Sequence, residues 1–317
     1  MKKVLCIGSV TTDIIVTPAN SIPTPGTLRG VDSVSMHVGG CASNAAIDLA
    51  KLGVPVTLCC KVGADSFGEF VIKTATESGV DTSGIVVSNQ LATTASVVCI
   101  NTSGERSFLY SPGSTAGFTK EDIPEQLIED ADIVFVAGAM LLTSFDGKEC
   151  SEVMCKAQQM GKYTVMDTAW DFEDKWLEKI CNVLPYLDLF MPSYEEAAKL
   201  SGETELSKIA NCFFKLGAKN VIIKIGKDGA YICEGDKSRY QLKTYESIKP
   251  VDTTGAGDSF CAGFLSGIAQ GFTYRESGKF ANAVGTHCIM EIGASTGIKP
   301  IADILKFMKE NEVDESC

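Results

Sequence analysis

The chain has 317 residues, 45% hydrophobic and 21% charged, enough to bury a large α/β core. Its formal net charge of -12 disfavours nucleic acid and anionic membranes as partners, but not a small polyanion whose charge is met locally. The 13 cysteines are odd in number, lack metal-ligand spacing and sit mostly in apolar runs, so they read as small buried thiols of a reducing compartment.

The first apolar run, residues 4–7, predicts a buried strand ending at Gly8. It is too short for a signal peptide and is followed by Asp13, so a cytoplasmic protein is expected. No run is long enough to span a bilayer. Asp13 follows this strand, where open α/β sheets bind ligands. Its carboxylate suits vicinal hydroxyls; a turn aspartate is the alternative. Residues 14–38 hold Pro18, Pro23, Pro25 and Gly26, then alternate from Val31 to Met36. Residues 93–110 alternate as well, with a turn over 101–106. Both predict antiparallel strands forming one small sheet outside the main alternation, with Met36, Val98 and Ile100 on its apolar side.

Gly39-Gly40-Cys41-Ala42-Ser43-Asn44 opens a helix predicted over 45–52. The glycines allow close approach of a ligand, and Asn44 offers a donor and an acceptor to hydroxyls. Alternatively, Ser43 or Asn44 is only an N-cap. A strand over 56–60 leads to a loop capped by Asp65 or Ser66 and a helix over 67–78. Strands over 133–136, 163–166, 187–191 and 221–225 then alternate with helices over 148–160, 195–200 and 206–216. This order predicts a parallel sheet covered on both faces, in one domain of residues 1–317.

Trp170 and Trp176, near Asp167, either wall a pocket or pack. Gly226 and Gly229 lie in a turn after the 221–225 strand, either a hairpin or a fold over a nucleotide. The tail from Gly257 is mostly helical, including a helix over 280–290, and residues 310–317 look loose. His37 and His287 lack triad or metal company and read as non-catalytic.

The most informative stretch is Val251-Asp252-Thr253-Thr254-Gly255-Ala256-Gly257-Asp258-Ser259-Phe260. Small residues aim amides outward at a helix N-terminus, an anion site. Asp258 would repel a phosphate there, yet it suits removing a proton from a hydroxyl that attacks one. The pattern reads as phosphoryl transfer from a nucleotide to an alcohol. A Walker A motif and a dinucleotide glycine fingerprint are both absent.

Residues 252–260 resemble the C-terminal signature of the ribokinase, or PfkB, family of carbohydrate kinases, and residues 39–53 resemble its N-terminal signature. The resemblance implies a three-layer α/β/α sandwich with a small antiparallel β lid over the sugar site, often a homodimer interface. It implies ATP and Mg²⁺, with Asp258 as general base for a primary hydroxyl and Gly255, Ala256 and Gly257 as the anion hole. Asp13, Gly39, Gly40 and Asn44 then hold the acceptor, with Asp258. Ser193, Lys224, Gly226, Gly229, Gly257 and Asn282 match nucleotide positions. Glu196 matches the acid that organises Mg²⁺ through water, although Ser193 replaces the family's asparagine. Asp252, and the backbone near Thr254, Cys288, Glu291 and Gly293, match positions that bind a monovalent cation such as K⁺ in many relatives.

Two departures bear on the substrate. The family's Asp-x-Asn-x-Arg element reads Asp167-Thr168-Ala169-Trp170-Asp171 here; the missing arginine weakens a sugar acid, with Arg106 the one substitute. Cys41 stands where ribokinases carry lysine, which weakens ribose. A nucleoside stacked on Trp170 is the runner-up. A catalytically inactive ligand sensor is the reading from another class, opposed by Asp258 and the intact anion loop.

Overall fold

Residues 4–7, the run expected as a buried strand, lie inside a nine-stranded sheet. The computed structural model describes residues 1–103, 105–245, 247–311 and 313. In chain order the strands are β1 (Val4–Gly8), β2 (Thr11–Thr17), β3 (Ser33–Gly39), β4 (Val56–Gly63), β5 (Asp81–Ser88), β6 (Ala95–Ile100) and β7 (Arg106–Ser111). They continue with β8 (Ile133–Ala139), β9 (Tyr163–Thr168), β10 (Leu189–Phe190), β11 (Asn220–Lys224), β12 (Ala230–Glu234) and β13 (Ser238–Leu242). The large sheet runs β13-β12-β11-β10-β9-β8-β1-β4-β5. It is parallel from β11 to β5, and β12 and β13 add an antiparallel margin.

Strand period two assigns alternate side chains to opposite layers. Val4 and Cys6 pack with Ala46, Val71 and Phe264, from the helices Cys41–Lys51, Ser66–Glu77 and Ala256–Gln270. Leu5 and Ile7 pack with Met154 and Phe213, from the helices Lys148–Gln159 and Leu206–Lys215. The expected three-layer α/β/α sandwich follows. No helix among the described residues is long and apolar enough to cross a membrane. The twelve described cysteines are all free.

The small sheet runs β3-β2-β6-β7. Its outer pairs are antiparallel, while β2 and β6 lie parallel. The register puts Asp13, His37, Ser96 and Tyr110 in one row, on the face that carries Val98, Ile100 and Arg106. The opposite face carries Ile14, Met36, Val97 and Leu109. Val98 and Ile100 therefore do not share an apolar side with Met36, because one position along a strand reverses the face.

Other boundaries differ locally. The helix expected over 45–52 starts at Cys41, capped by Gly40 without a side chain. Neither Ser43 nor Asn44 is the N-cap; Ser43 Oγ donates to the Gly39 carbonyl instead, 2.6 Å away. The helix expected over 280–290 starts at Tyr274, where Thr273 and Glu276 form a reciprocal cap. The strand expected over 187–191 shrinks to Leu189–Phe190. Edge strand β5 was not anticipated. Gly104 of the expected turn, and Glu312 and residues 314–317 of the tail, lie outside the described residues.

Candidate active site

The C-terminal ends of β1 and β9, the lid, and the N-termini of two long helices meet at one place. Asp258 stands in the first turn of the helix Ala256–Gln270, and Asn44 in the first turns of the helix Cys41–Lys51. Asn44 Nδ2 donates to Asp258 Oδ2 at 2.8 Å. Asn44 Oδ1 is buried without a hydrogen-bond partner. An orphaned buried acceptor costs free energy, so it marks where a donor from a ligand belongs. Burial pushes the Asp258 carboxyl up; the Asn44 bond and the Lys224 charge oppose the rise, and Glu196 adds to it.

Asp13, on β2, accepts a hydrogen bond from Ser96 Oγ on β6 at 2.5 Å. Burial raises its carboxyl above the usual range, and the Ser96 bond and His37 oppose that rise. Gly39 leaves it room: a Cβ there would fall 2.0 Å from Asp13 Oδ2. Asp13 thus packs against Gly39, and Asn44 against Asp258, with Gly40 between Gly39 and the helix that carries Asn44.

Gly255 caps the second helix at φ 77°, a left-handed conformation that favours glycine. A Cβ there would also strike Ala294 O at 2.5 Å. The first amides of a helix lack intrahelical partners. Ala256 spends its N–H on Thr253 O at 3.3 Å, which leaves the Gly255 and Gly257 amides for a ligand. Lys224, at the end of β11, lies behind them, with Nζ 3.4 Å from where a Gly257 Cβ would be.

Lys224 Nζ donates to Asp167 Oδ1 at 2.7 Å, and Asp167 is 2% exposed. Burial works against the ammonium, but the Asp167 and Glu196 charges hold it protonated, well above its usual range. Glu196 accepts from Thr168 Oγ1 at 2.9 Å. Burial, and then Asp167, push its carboxyl up. Ser193 and Glu196 bond each other reciprocally at the start of the helix Tyr194–Ser201, so the Ser193 hydroxyl serves as an N-cap. Cys41 faces the same acids: burial, Asp258, Asp167 and Glu196 hold its thiol neutral, well above its usual range.

Gly226 and Gly229 bound a short turn between β11 and β12. Asn282 also has a bracing role. Its Nδ2 donates to the carbonyls of Leu242 at 3.3 Å and Lys243 at 3.0 Å, so it braces the segment after β13 rather than offering that group to a nucleotide. In the expected cation set, Asp252 Oδ1 accepts from Thr254 N at 2.8 Å and Oδ2 from Gly293 N at 3.0 Å. Cys288 Sγ lies 3.3 Å from Thr254 O. The Glu291 side chain pairs with Lys299 at 2.8 Å. Arg106 bonds Asp252 and Thr254, so it is not free as a carboxylate clamp. Asp167, Thr168 and Cys41 are site members to which sequence reasoning gave no role. Asp167 had a signal, because it follows a predicted strand, as Asp13 does.

This arrangement of sheet, lid and paired helix N-termini is the ribokinase-like fold. The model for the pfkB family carbohydrate kinases matches residues 1–301, and the chain belongs to that family. It is 28% identical to a 2-dehydro-3-deoxygluconokinase of Bacillus subtilis over 89% of this chain and 90% of the relative. It is 26% identical to a ribokinase of Staphylococcus aureus, over 95% and 98% of the two chains. The structure of Arabidopsis thaliana ribokinase complexed with ribose and ATP superposes with a TM-score of 0.85 at 23% identity, covering 97% of this chain and 99% of that one.

Proposed function

We propose that this carbohydrate kinase transfers the γ-phosphoryl group of ATP to a primary hydroxyl of a sugar or related polyol, with Asp258 as the base. The observation that carries this is the Asn44–Asp258 pair at the mouth of the glycine loop, with Asn44 Oδ1 left unpartnered. Asn44 holds Asp258 Oδ2, so Oδ1 takes the hydroxyl proton. Asp13 and Asn44 Oδ1 orient the acceptor through its other hydroxyls. The Gly255 and Gly257 amides stabilise charge on the transferred group. Lys224, braced by Asp167, adds a positive charge behind them.

No group of three or more His, Cys, Asp or Glu that could hold a metal ion occurs among the described residues. Mg²⁺ would therefore arrive with the nucleotide and neutralise its phosphates, with Glu196 the residue to meet it through water. The lid excludes water, which would compete as acceptor. Its other face exposes Val34, Met36 and Leu109, which suits a second copy of the chain as cover. A nucleoside is the second reading. Phe172 is 54% exposed, and its ring lies 6.2 Å from that of Tyr110, in the same lid row as Asp13, so a flat apolar group has a place to stack.

The test is a coupled ADP-release assay across pentoses, hexoses, sugar acids and nucleosides, with Asp258→Asn as control. The variant should bind the active acceptor but lose about 10²–10⁴-fold in rate. A variant within a few-fold of the parent rate at saturation would refute the base assignment.

A further inference from the structure

The oxygens expected to hold an alkali cation already face a cation that the chain supplies. Arg106, at the start of lid strand β7, reaches 146 residues along the sequence to donate from Nη2 to Asp252 Oδ1 and from Nη1 to Thr254 Oγ1. Asp252 is buried and Arg106 partly so. A second lid strand meets the same place, because a Cβ on Gly293 would lie 3.4 Å from His37 Nδ1 on β3.

The side chains and amides around it also have partners. Asp252 Oδ1 takes the Thr254 amide and Oδ2 takes the Gly293 amide. The Cys288 thiol lies 3.1 Å from Ala294 O and 3.3 Å from Thr254 O. Glu291 faces Lys299. Burial opposes the Asp252 charge, yet the two amides and Arg106 hold the carboxyl below the usual carboxylate range. A hard cation needs several uncommitted oxygens. Here it would have to displace a guanidinium bonded to the same carboxylate, or sit beside it against like-charge repulsion. The Asp252 carboxylate does not fit a bound K⁺ while Arg106 holds it and the lid is closed.

We propose that Arg106 is the built-in counter-cation of this loop, so that lid closure, and not an alkali ion, orders the turn that carries the anion-binding amides. Thr254 immediately precedes Gly255. The Arg106 bond therefore joins the lid to the first residue of the glycine loop. Acceptor draws the lid down through Asp13 and Ser96, and Arg106 on the same face then fixes Asp252 and Thr254. Arg106 is a positioning residue; it acts through the loop and touches no reacting atom. The idea rests on the kinase reading only for the purpose of the loop, and not for the exchange of one cation for another.

The test compares melting temperature and turnover in equal concentrations of KCl and tetramethylammonium chloride, for the parent, Arg106→Lys and Arg106→Ala. Parent and Arg106→Lys should melt and turn over alike in the two salts. Arg106→Ala opens the carboxylate, so KCl should raise its melting point by roughly 2 °C or more over the bulky cation and restore part of the lost turnover. Parent protein that gains stability in KCl would overturn the proposal, because the oxygens then take the ion with Arg106 in place. Arg106→Ala without a K⁺ response would overturn it too. The melting arm needs no acceptor, so it reports even if every candidate acceptor fails and the kinase reading falls.

Discussion

Gly39→Ala should abolish most acceptor binding although Gly39 contributes no side chain to the site. Its Cβ would lie 2.0 Å from Asp13 Oδ2 and 2.8 Å from Cγ, distances that real Cβ atoms do not tolerate. Asp13 cannot slide away along the backbone, because β2 is paired on both sides, with β3 and with β6. Its carboxylate must therefore swing off the Ser96 hydroxyl and away from the acceptor. Losing a hydrogen bond from a charged group costs about 1.5–3 kcal/mol. At about 1.4 kcal/mol per tenfold, acceptor kcat/KM should fall roughly 10- to 150-fold. The KM for ATP should hardly move, since the clash is confined to the lid side. Steady-state kinetics with each substrate varied in turn measures both. Asp13→Ala should cost a similar amount, and the double variant no more than Asp13→Ala alone, because both act on one carboxylate. Unchanged acceptor kcat/KM in Gly39→Ala would refute the reasoning. So would costs that multiply in the double variant, which would show that Gly39 serves something other than Asp13.

Asn44→Ala removes the bond that favours the ionised form of Asp258, whose carboxyl burial already holds up. The acid limb of kcat/KM should then move to higher pH, and a limb that stays put or moves to lower pH would contradict the pairing. Asp48, fully buried, accepts from Ser259 Oγ at 2.6 Å, and burial raises its carboxyl from 3.8 to about 7. The folded state binds the proton more tightly than the unfolded one, so this stabilisation is full below the ordinary carboxylate value and drains as pH rises through about 7. Asp48→Asn, which does not ionise, should gain stability over the parent as pH rises from the ordinary value of 3.8 to about 7, and hold that gain above it. A difference in melting temperature that is flat with pH, or larger in acid, would count against it.

What the sequence revealed and concealed follows from how local each signal is. The strands covered on both faces are continuous apolar runs, and the anion loop is a local run of small residues at a helix start, so both can be read from a short window. Strand β5 was missed because its start, Asp81-Thr82-Ser83-Gly84, is polar and small; it is a strand by pairing with β4 at the sheet edge. The lid alternation was visible, but its register was not, and a shift of one residue sent Val98 to the site side. Asn282 matched a nucleotide position, and its Nδ2 also donates to two carbonyls that only the tertiary fold brings near. The Arg106–Asp252 contact has no local signal at all, since its two ends meet only when the lid lies on the main sheet.

The same tertiary proximity sets the basicity of Asp258, the proposed base. Asp258, Glu196 and Asp167 stand around Lys224, and burial raises all three carboxyls. Alone, that crowding would make Asp258 a strong base that is rarely ionised and therefore idle. Two contacts work the other way: the Asn44 amide at 2.8 Å favours the carboxylate, and Lys224, held protonated by Asp167, lowers its cost. A useful general base needs both properties, basicity above an exposed carboxylate and ionisation at the working pH. Burial supplies the first, and Asn44 with Lys224 supplies the second. If Asp258 is the base as proposed, Asp167 bears on the chemistry through the lysine it braces at 2.7 Å.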